Sequence, residues 1–309
     1  MKILVTCPPM LGLKSEFIPV LQEYGCEAIC PNFTQVMSED DLVDILPTVD
    51  GWIIGDDPAT ERVFKAGLSG NFKAAVKWGI GIDNVDIEAC RNLRIPIENT
   101  PNMFGAEVGD LAIGYMIGLA RHFVEIDRDV RRGIWLKKSG ISLHNKKLGV
   151  IGYGDIGSNV VDRASAFGLN ISIYDPGVKS VKDPYKLKVW PEGIDECDFL
   201  VFTCALNKNN KHMYSFEEIK KSKNGVRLVN VSRGQLINET ALIKGLSSGK
   251  VSSVALDVFE EEPLNPNSYF LEHPSCILGS HNASNTIDAV RRTNIIAIKK
   301  LMKFLGKSS

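Results

Sequence analysis

The sequence has few of the residues that would indicate a disulfide-stabilised or metal-binding protein. It contains seven cysteines and five histidines in 309 residues, and no two cysteines have the Cys-x-x-Cys spacing. An odd number of cysteines without paired spacing indicates reduced thiols rather than a disulfide framework. The histidines show no ligand spacing with cysteine or acidic residues, so no metal site is predicted.

Excess charge and long apolar segments are also absent. The formal net charge is −1, from 36 basic and 37 acidic side chains, which excludes a strong field for nucleic acid or anionic lipid. The longest uncharged apolar run, residues 111–120, is half of the ~20 residues that a membrane span needs. The apolar stretch before Pro8 is too short for a signal peptide. We therefore expect a cytoplasmic protein that binds neither nucleic acid nor membranes.

What the sequence does contain is a regular alternation of apolar runs with helix-length segments. At 44% hydrophobic and 24% charged residues, the composition is that of a globular protein, and the length corresponds to about two domains. Short apolar runs without polar alternation are typical of parallel strands buried on both faces, so the predicted fold class is α/β. Strands are predicted at residues 2–7, 52–54, 74–77, 147–151, 171–174, 199–203, 227–231, 254–256 and 276–278.

Two longer segments predict helices and divide the chain. Residues 105–132 contain no proline and predict one continuous helix, and residues 286–305 predict a second. We expect two doubly wound, parallel-sheet α/β domains: residues 99–282 as one, and residues 1–98 with 283–309 as the other. A cleft between two such domains is where small-molecule sites are favoured.

A Gly-x-Gly-x-x-Gly pattern at Gly152, Gly154 and Gly157 follows one predicted strand and precedes a helical pattern. In this context the first glycine permits a tight turn, the second lets a pyrophosphate approach the backbone, and the third allows helix and strand to pack closely. The helix N-terminus adds free N–H donors and a partial positive charge. The turn therefore predicts a dinucleotide site. The other residues of the turn are also candidates for cofactor binding: Tyr153, Asp155 and Ile156.

Asp175 ends the next predicted strand, 18 positions after Gly157. A carboxylate there accepts hydrogen bonds from the ribose hydroxyls and repels a 2′-phosphate, so NAD is favoured over NADP. Lys179 and Lys182 follow in the same loop and keep NADP open. The alternative is a purely structural glycine turn in which Asp175 caps a loop.

Three polar groups follow three successive predicted strands. Arg233 comes after the strand 227–231, Glu260–Glu262 after the strand 254–256, and His281 after the strand 276–278. Ligands of open α/β sheets bind at the carboxyl ends of strands, so these groups should lie on one rim. Taken singly, Arg233 could be a surface residue, the glutamates a solvated charge run, and His281 a helix cap.

Several motifs in order resemble one enzyme family over essentially the whole chain. The sequence resembles the D-isomer-specific 2-hydroxyacid dehydrogenases, in the branch of the phosphoglycerate dehydrogenases. The motifs that carry the resemblance are Lys77-Trp78-Gly79-Ile80-Gly81-Ile82-Asp83-Asn84-Val85-Asp86, Asn99-Thr100-Pro101-Asn102, the dinucleotide turn with Asp175, Asn230-Val231-Ser232-Arg233-Gly234, Asp257-Val258-Phe259-Glu260-Glu261-Glu262-Pro263, and His281.

The resemblance implies the architecture and the roles of particular residues. It implies a Rossmann cofactor domain, a flavodoxin-like substrate domain split between the chain ends, and a homodimer built on the cofactor domain. It implies that Arg233, Glu262 and His281 are the catalytic residues, and that Ser232 and Asp257 contact NAD. It also implies a substrate-binding loop that consists of Lys77, Trp78, Gly79, Ile80 and Gly81.

The residue types suit the reduction of a 2-oxo acid to a 2-hydroxy acid. His281 can hold a proton near neutral pH, and Glu262 beside it favours the imidazolium and fixes the ring. Arg233 can bind the carboxylate and carbonyl oxygens with a planar fork. The residues Gly79-Ile80-Gly81 can offer backbone N–H groups to the carboxylate.

Two questions stay open at this point. Lys77 stands where phosphoglycerate dehydrogenases place an arginine, but Asp56 and Asp57 stand where a second basic residue would be. Since two carboxylates repel a phosphate at close range, phosphoglycerate is not favoured as substrate. The other question is function class, because the C-terminal-binding-protein corepressors share the fold and act chiefly as NADH-responsive protein-binding scaffolds.

Overall fold

The computed structural model describes residues 1–307. The chain divides into two compact units, one of Met1–Met103 with Asn285–Ser309 and one of Phe104–Ser284. Ser308 and Ser309, which end the domain predicted for residues 283–309, lie outside the described residues.

The strands are short and run parallel within each unit. Their bounds are β1 Lys2–Val5, β2 Glu27–Ile29, β3 Gly51–Ile54, β4 Ala74–Lys77, β5 Ile97–Asn99, β6 Lys147–Ile151, β7 Asn170–Tyr174, β8 Lys186–Leu187, β9 Phe199–Phe202, β10 Val226–Asn230, β11 Val251–Leu256 and β12 Cys276–Leu278.

The helices connect these strands or flank them. Their bounds are α1 Pro8–Leu11, α2 Lys14–Glu23, α3 Glu39–Ile45, α4 Glu61–Leu68, α5 Ile87–Asn92, α6 Gly105–Arg121, α7 Phe123–Arg131, α8 Asp155–Ala166, α9 Phe216–Lys221, α10 Glu239–Ser247, α11 Tyr269–Glu272 and α12 Ile287–Phe304. Short 3₁₀ turns occur at Leu46–Thr48, Ile194–Glu196 and Gly234–Leu236.

In the described part of the first unit, five strands form a sheet in the order β2-β1-β3-β4-β5, which is the flavodoxin-like order. Its central strands are buried on both faces, since Trp52 and Val76 are fully buried. The C-terminal helix α12 packs on β3 and β4 of this sheet.

The second unit has a seven-stranded sheet in the order β12-β11-β10-β9-β6-β7-β8. Read from the other edge, this order is that of a Rossmann fold, with the switch point between β6 and β9. Fully buried apolar side chains such as Val150, Val201 and Val229 fill the central strands. The expectation of two doubly wound parallel α/β domains is confirmed.

The prediction of one continuous helix over residues 105–132 is wrong. Two helices, α6 and α7, meet at His122, whose backbone lies in the left-handed region with a φ of 56°. A right-handed helix cannot continue through a residue in that conformation. The apolar pattern runs across the break, so the sequence contains little sign of it.

None of the described helices is both long enough and apolar enough to span a membrane.

Candidate active site

The glycine turn follows β6 and begins α8 at the switch point of the second sheet. Gly152 has a φ of 99°, and a Cβ there would lie 2.6 Å from the backbone nitrogen of Cys204. A Cβ on Gly157 would lie 2.0 Å from the carbonyl oxygen of Gly152, whereas at Gly154 nothing lies within 4 Å. Two of the glycines therefore permit close packing, and the third leaves the backbone open to a ligand.

Asp175, just after β7, is tied to this turn. One carboxylate oxygen accepts the backbone N–H of Tyr153 at 2.7 Å, and the other accepts that of Gly177 at 2.8 Å. Each oxygen keeps a further lone pair for a ribose hydroxyl. An open glycine backbone, a helix N-terminus and a carboxylate in the right order fit NAD.

The other two residues of the turn lie at the start of helix α8. Asp155 and Ile156 form the first turn of α8, whose N–H groups lack partners within the helix. The Asp155 side chain points toward α6 and not toward the glycine turn. Its Oδ1 would lie 2.2 Å from a Cβ on Gly105.

Arg233 follows β10 and is half-buried. The buried Asn230 holds its backbone, because Asn230 Nδ2 donates to the carbonyl oxygen of Arg233 at 2.9 Å. The Arg233 Nη1 donates to the carbonyl oxygen of Ser232 at 2.9 Å. The Ser232 hydroxyl in turn donates to the carbonyl oxygen of Cys204, beside Gly152. Ser232 thereby connects the arginine loop to the dinucleotide turn.

Glu262 and His281, which follow β11 and β12, are in contact. The Oε2 of Glu262 lies 2.7 Å from Nδ1 of His281, and each side chain is about a quarter exposed, at 25% and 24%. The Oε1 of Glu262 accepts the backbone N–H of Phe259 at 2.9 Å, which fixes the carboxylate plane. Since β10, β11 and β12 are neighbours, Arg233, Glu262 and His281 all lie beyond the carboxyl ends of adjacent strands, on one side of the sheet.

Asp257 is buried and holds the backbone around His281. Its carbonyl oxygen accepts the N–H of His281 at 2.7 Å, and its Oδ2 accepts that of Ala283 at 2.8 Å. These bonds support a backbone that is left-handed at His281, with a φ of 54°. The Tyr115 hydroxyl, which the sequence did not single out, donates to Asp257 Oδ1 at 3.2 Å. Burial, and then the Asp257 charge, raise the pKa of Tyr115 far above its usual range.

The predicted substrate loop lies in the first unit, after β4. Lys77 is buried at 3% exposure, and its Nζ lies 3.1 Å from Asp56 Oδ1 and 3.0 Å from the carbonyl oxygen of Trp78. The indole N–H of Trp78 donates to Asn294 of α12 at 2.8 Å. Lys77 is therefore already paired with a carboxylate, and Trp78 is anchored in the fold of its own unit.

The N–H of Gly79 is engaged within the loop. It donates to the buried Thr100 hydroxyl at 2.7 Å, and the φ of Gly79 is 115°. The Ile80 carbonyl accepts from Asn99 Nδ2 at 2.8 Å. In the part of the chain that the structure describes, the N–H groups of Ile80 and Gly81 have no partner. They are the donors that this loop can offer to a substrate carboxylate.

A buried carboxylate supports the loop after β3. Asp57 is fully buried and accepts the N–H groups of Met37 at 2.9 Å and Gly55 at 3.1 Å, as well as the Thr6 hydroxyl. Burial raises the pKa of Asp57. The sequence suggested a ligand-facing role for this residue, whereas all these contacts are internal. A Gly-Asp-Asp-Pro turn carries no signal that one of its aspartates is buried.

Within residues 1–307, no group of three or more His, Cys, Asp or Glu side chains is arranged to hold a metal ion.

The second unit matches a known sequence family. A family model described as D-isomer specific 2-hydroxyacid dehydrogenase, NAD binding domain, matches residues 113–283. Hydroxypyruvate reductase of Thermotoga maritima is 34% identical over 275 residues, which is 87% of this chain and 89% of that protein. D-3-phosphoglycerate dehydrogenase of Methanocaldococcus jannaschii is 33% identical over 312 residues, and this chain spans only 57% of its length.

Solved structures agree with the fold. The structure of the TT0316 protein from Thermus thermophilus superimposes with a TM-score of 0.90 at 26% identity. The superposition covers 99% of this chain and 97% of that one, so both units have counterparts there.

Proposed function

Because the chain belongs to the D-isomer specific 2-hydroxyacid dehydrogenases, which are NAD-dependent oxidoreductases, we propose that it reduces a small 2-oxo acid with Arg233, Glu262 and His281 as catalytic residues. The observation that carries this proposal is the 2.7 Å contact between Glu262 Oε2 and His281 Nδ1, on the sheet edge that also holds Arg233. Reduction of a bound 2-oxo acid requires a proton donor for the ketone oxygen and a cation that binds the substrate carboxylate. A histidine hydrogen-bonded to a glutamate can supply the proton, and an arginine can bind the carboxylate.

NADH supplies the hydride for C2 when it is bound. This chain's residues supply the proton and the orientation. Since Glu262 occupies Nδ1 of His281, proton exchange with the substrate oxygen falls to Nε2. Arg233 binds the carboxylate and the carbonyl oxygen, which polarises the carbonyl toward reduction. In the first unit we assign the N–H groups of Ile80 and Gly81 to the substrate carboxylate, and Lys77, Trp78 and Gly79 to the shape of that loop.

Replacing Glu262 by glutamine tests the proton relay. The glutamine side chain keeps an acceptor for Nδ1 but loses the charge that favours the imidazolium, so the histidine loses its proton at lower pH. In the reductive direction, which uses the protonated form, we expect the alkaline limb of the pH–rate profile to move down by about 1–2 units. The matched control is Glu261→Gln, which removes the exposed neighbour's charge. An unchanged profile in E262Q would remove Glu262 from the relay.

We assign NAD to the glycine turn, with contacts from Ser232 and Asp257 near the nicotinamide. Asp175 sets the preference for NAD over NADP by its negative charge. Asp175→Asn keeps an acceptor for one of the two N–H groups but removes the repulsion of a 2′-phosphate. The ratio of kcat/KM with NADPH to that with NADH should rise about tenfold. Glu217→Gln, which neutralises an exposed carboxylate on α9, is the control. A wild-type enzyme that prefers NADPH would contradict the assignment.

We propose an unphosphorylated substrate. The buried Lys77 is paired with Asp56, so its charge is compensated within the first unit. We therefore expect NADH oxidation with hydroxypyruvate, glyoxylate or pyruvate to exceed that with 3-phosphohydroxypyruvate. The experiment is a screen of the purified protein against these acids and 2-oxoglutarate. Activity with none of them would contradict an enzymatic role and favour the NADH-responsive scaffold.

We propose that residues 99–282 form the cofactor domain and that the remainder forms the substrate domain.

We further propose a homodimer that is built on the cofactor domain. Helix α7 of the second unit has no buried residue, and apolar side chains are exposed along it and just beyond it, with Trp135 at 79% and Leu136 at 61%. A second copy would cover this apolar surface. Light scattering should give twice the chain mass, and Trp135→Ser should shift the protein toward monomer. A monomeric wild type would contradict the proposal.

The seven unpaired cysteines support a cytoplasmic location.

A further inference from the structure

The acidic run Glu260–Glu262 is not a uniform surface patch. Glu261 is exposed, whereas the side chains of Glu260 and Glu262 are 32% and 25% exposed and are both hydrogen-bonded. Glu262 contacts His281, as described above. The Glu260 side chain points instead to the first residue of α10, Glu239.

Glu239 and Glu260 hold each other by two reciprocal hydrogen bonds. Glu239 Oε1 accepts the backbone N–H of Glu260 at 2.7 Å, and Glu260 Oε1 accepts the backbone N–H of Glu239 at 2.8 Å. Each carboxylate therefore fixes the main chain of the other residue, and N–H bonds to an ionised carboxylate are short and strong. We call this pair of bonds the glutamate clamp.

The clamp is reinforced by two contacts from the segment that follows Arg233. Gln235 Nε2 donates to the carbonyl oxygen of Glu260 at 3.0 Å. Gly234 packs directly on the peptide between Phe259 and Glu260, because a Cβ there would lie 1.9 Å from the carbonyl carbon of Phe259. Phe259 in turn donates its N–H to Glu262 at 2.9 Å. The backbone of the arginine loop and that of the glutamate loop are thus joined at adjacent residues.

The acidic side chains around the clamp repel one another. The acidic groups that face Glu239 are Glu260, Glu261 and Glu262, and burial followed by these charges raises the pKa of Glu239. The one basic group at the clamp, among the described residues, is His212, whose Nε2 lies 3.3 Å from Glu260 Oε1. Mutually repelling carboxylates are a poor way to gain stability alone, so a positional role accounts better for the arrangement.

We propose that Glu239 is a positioning residue, which fixes the Glu262 carboxylate against His281 and holds that pair in register with Arg233. The proposal rests on the proposed function for what is positioned, but the geometry that carries it is independent of the substrate. Glu239 acts through the main chain of Glu260, which lies two residues before Glu262.

Three variants separate position from charge. Glu239→Ala removes the acceptor and the charge, Glu239→Gln removes the charge but keeps an acceptor, and Glu261→Ala removes a neighbouring charge outside the clamp. Since small displacements of catalytic groups are costly, we expect E239A to lower kcat about 30-fold with KM for NADH changed less than about threefold. E239Q should restore kcat to within about threefold of wild type, and E261A should match wild type within about twofold.

A titration of His281 by NMR provides a readout that does not depend on turnover. The protein has five histidines, and the His281→Asn spectrum identifies the resonance. In E261A and E239Q the loss of one charge should lower the titration midpoint by a few tenths of a unit, whereas E239A should lower it by about one unit, because Glu262 also loses its position. If wild type reduces none of the acids tested, the proposed function fails and this titration still decides the present proposal.

An E239A protein that matches E261A in both kcat and titration midpoint would show that the clamp positions nothing. An E239Q protein as impaired as E239A would show that charge, not the accepted hydrogen bond, is responsible. Should E239A fail to fold, Gln235→Ala removes the neighbouring bond to Glu260 without a change of charge, and we expect it to lower kcat about threefold to tenfold. Wild-type kcat in Gln235→Ala would then contradict the proposal.

Discussion

Arg233→Lys should lower kcat/KM for the preferred 2-oxo acid by about three orders of magnitude. The guanidinium presents a planar fork that binds a carboxylate oxygen and the carbonyl oxygen together, whereas an ammonium is a single point charge on a flexible stem. The loop is built to aim that fork, since Asn230 holds the Arg233 carbonyl and Gly234 packs on the Phe259 peptide. Lysine keeps the charge but cannot use this geometry.

The measurement is steady-state NADH oxidation, paired with a titration of NADH binding by protein fluorescence. We expect NADH affinity to change by less than about threefold, because the dinucleotide turn does not depend on the Arg233 fork. A loss of activity smaller than tenfold would count against the assignment of Arg233. A parallel loss of NADH affinity would indicate that the variant disturbs the Ser232 contact to Cys204 instead.

His281→Asn should lower kcat in the reductive direction by about 10³-fold, since the variant removes the proton donor. Asparagine is the appropriate replacement because the backbone at His281 is left-handed, with a φ of 54°. Asparagine tolerates that region better than most residues. The backbone N–H groups of position 281 and Ala283 still donate to Asp257, so the loop should hold its conformation.

The matched control is His144→Asn, an exposed histidine just before β6, at the amino-terminal ends of the strands, whereas His281 follows the carboxyl end of β12. It should retain wild-type kcat. The pH–rate profile of His281→Asn should also lose the limb that is attributed to the histidine. Retention of that limb, or of more than a tenth of the wild-type rate, would require another proton donor.

Much of the architecture could be predicted because each central strand is a short apolar run buried on both faces. The strands predicted at residues 147–151 and 276–278 have the same bounds as β6 and β12. Strands β2, β5 and β8 were missed, since they have two or three residues and include polar ones such as Glu27, Asn99 and Lys186. The break at His122 was missed because no glycine or proline marks it.

The candidate site likewise contains some contacts that the sequence predicts and others that it does not. The sequence places Glu262 and His281 after neighbouring strands, so their proximity follows from the order of the sheet. The glutamate clamp does not follow from it, because it joins residues 21 positions apart through backbone N–H groups. Neither does the Tyr115 bond to Asp257, since an apolar helix with one tyrosine carries no indication of what its hydroxyl meets.

If the proposed site performs the reduction, the hydride should add to C2 of the 2-oxo acid and the proton to its carbonyl oxygen. The product should then be the D-isomer. The most direct test uses NADH that is deuterated at the transferable position of the nicotinamide, together with hydroxypyruvate or pyruvate, whichever wild type reduces faster, because the glycolate formed from glyoxylate has no stereocentre that a chiral column could resolve. We predict that the deuterium is found at C2 of the product and that the product is the D-isomer on a chiral column. An L-product, or a product without deuterium at C2, would contradict this mechanism.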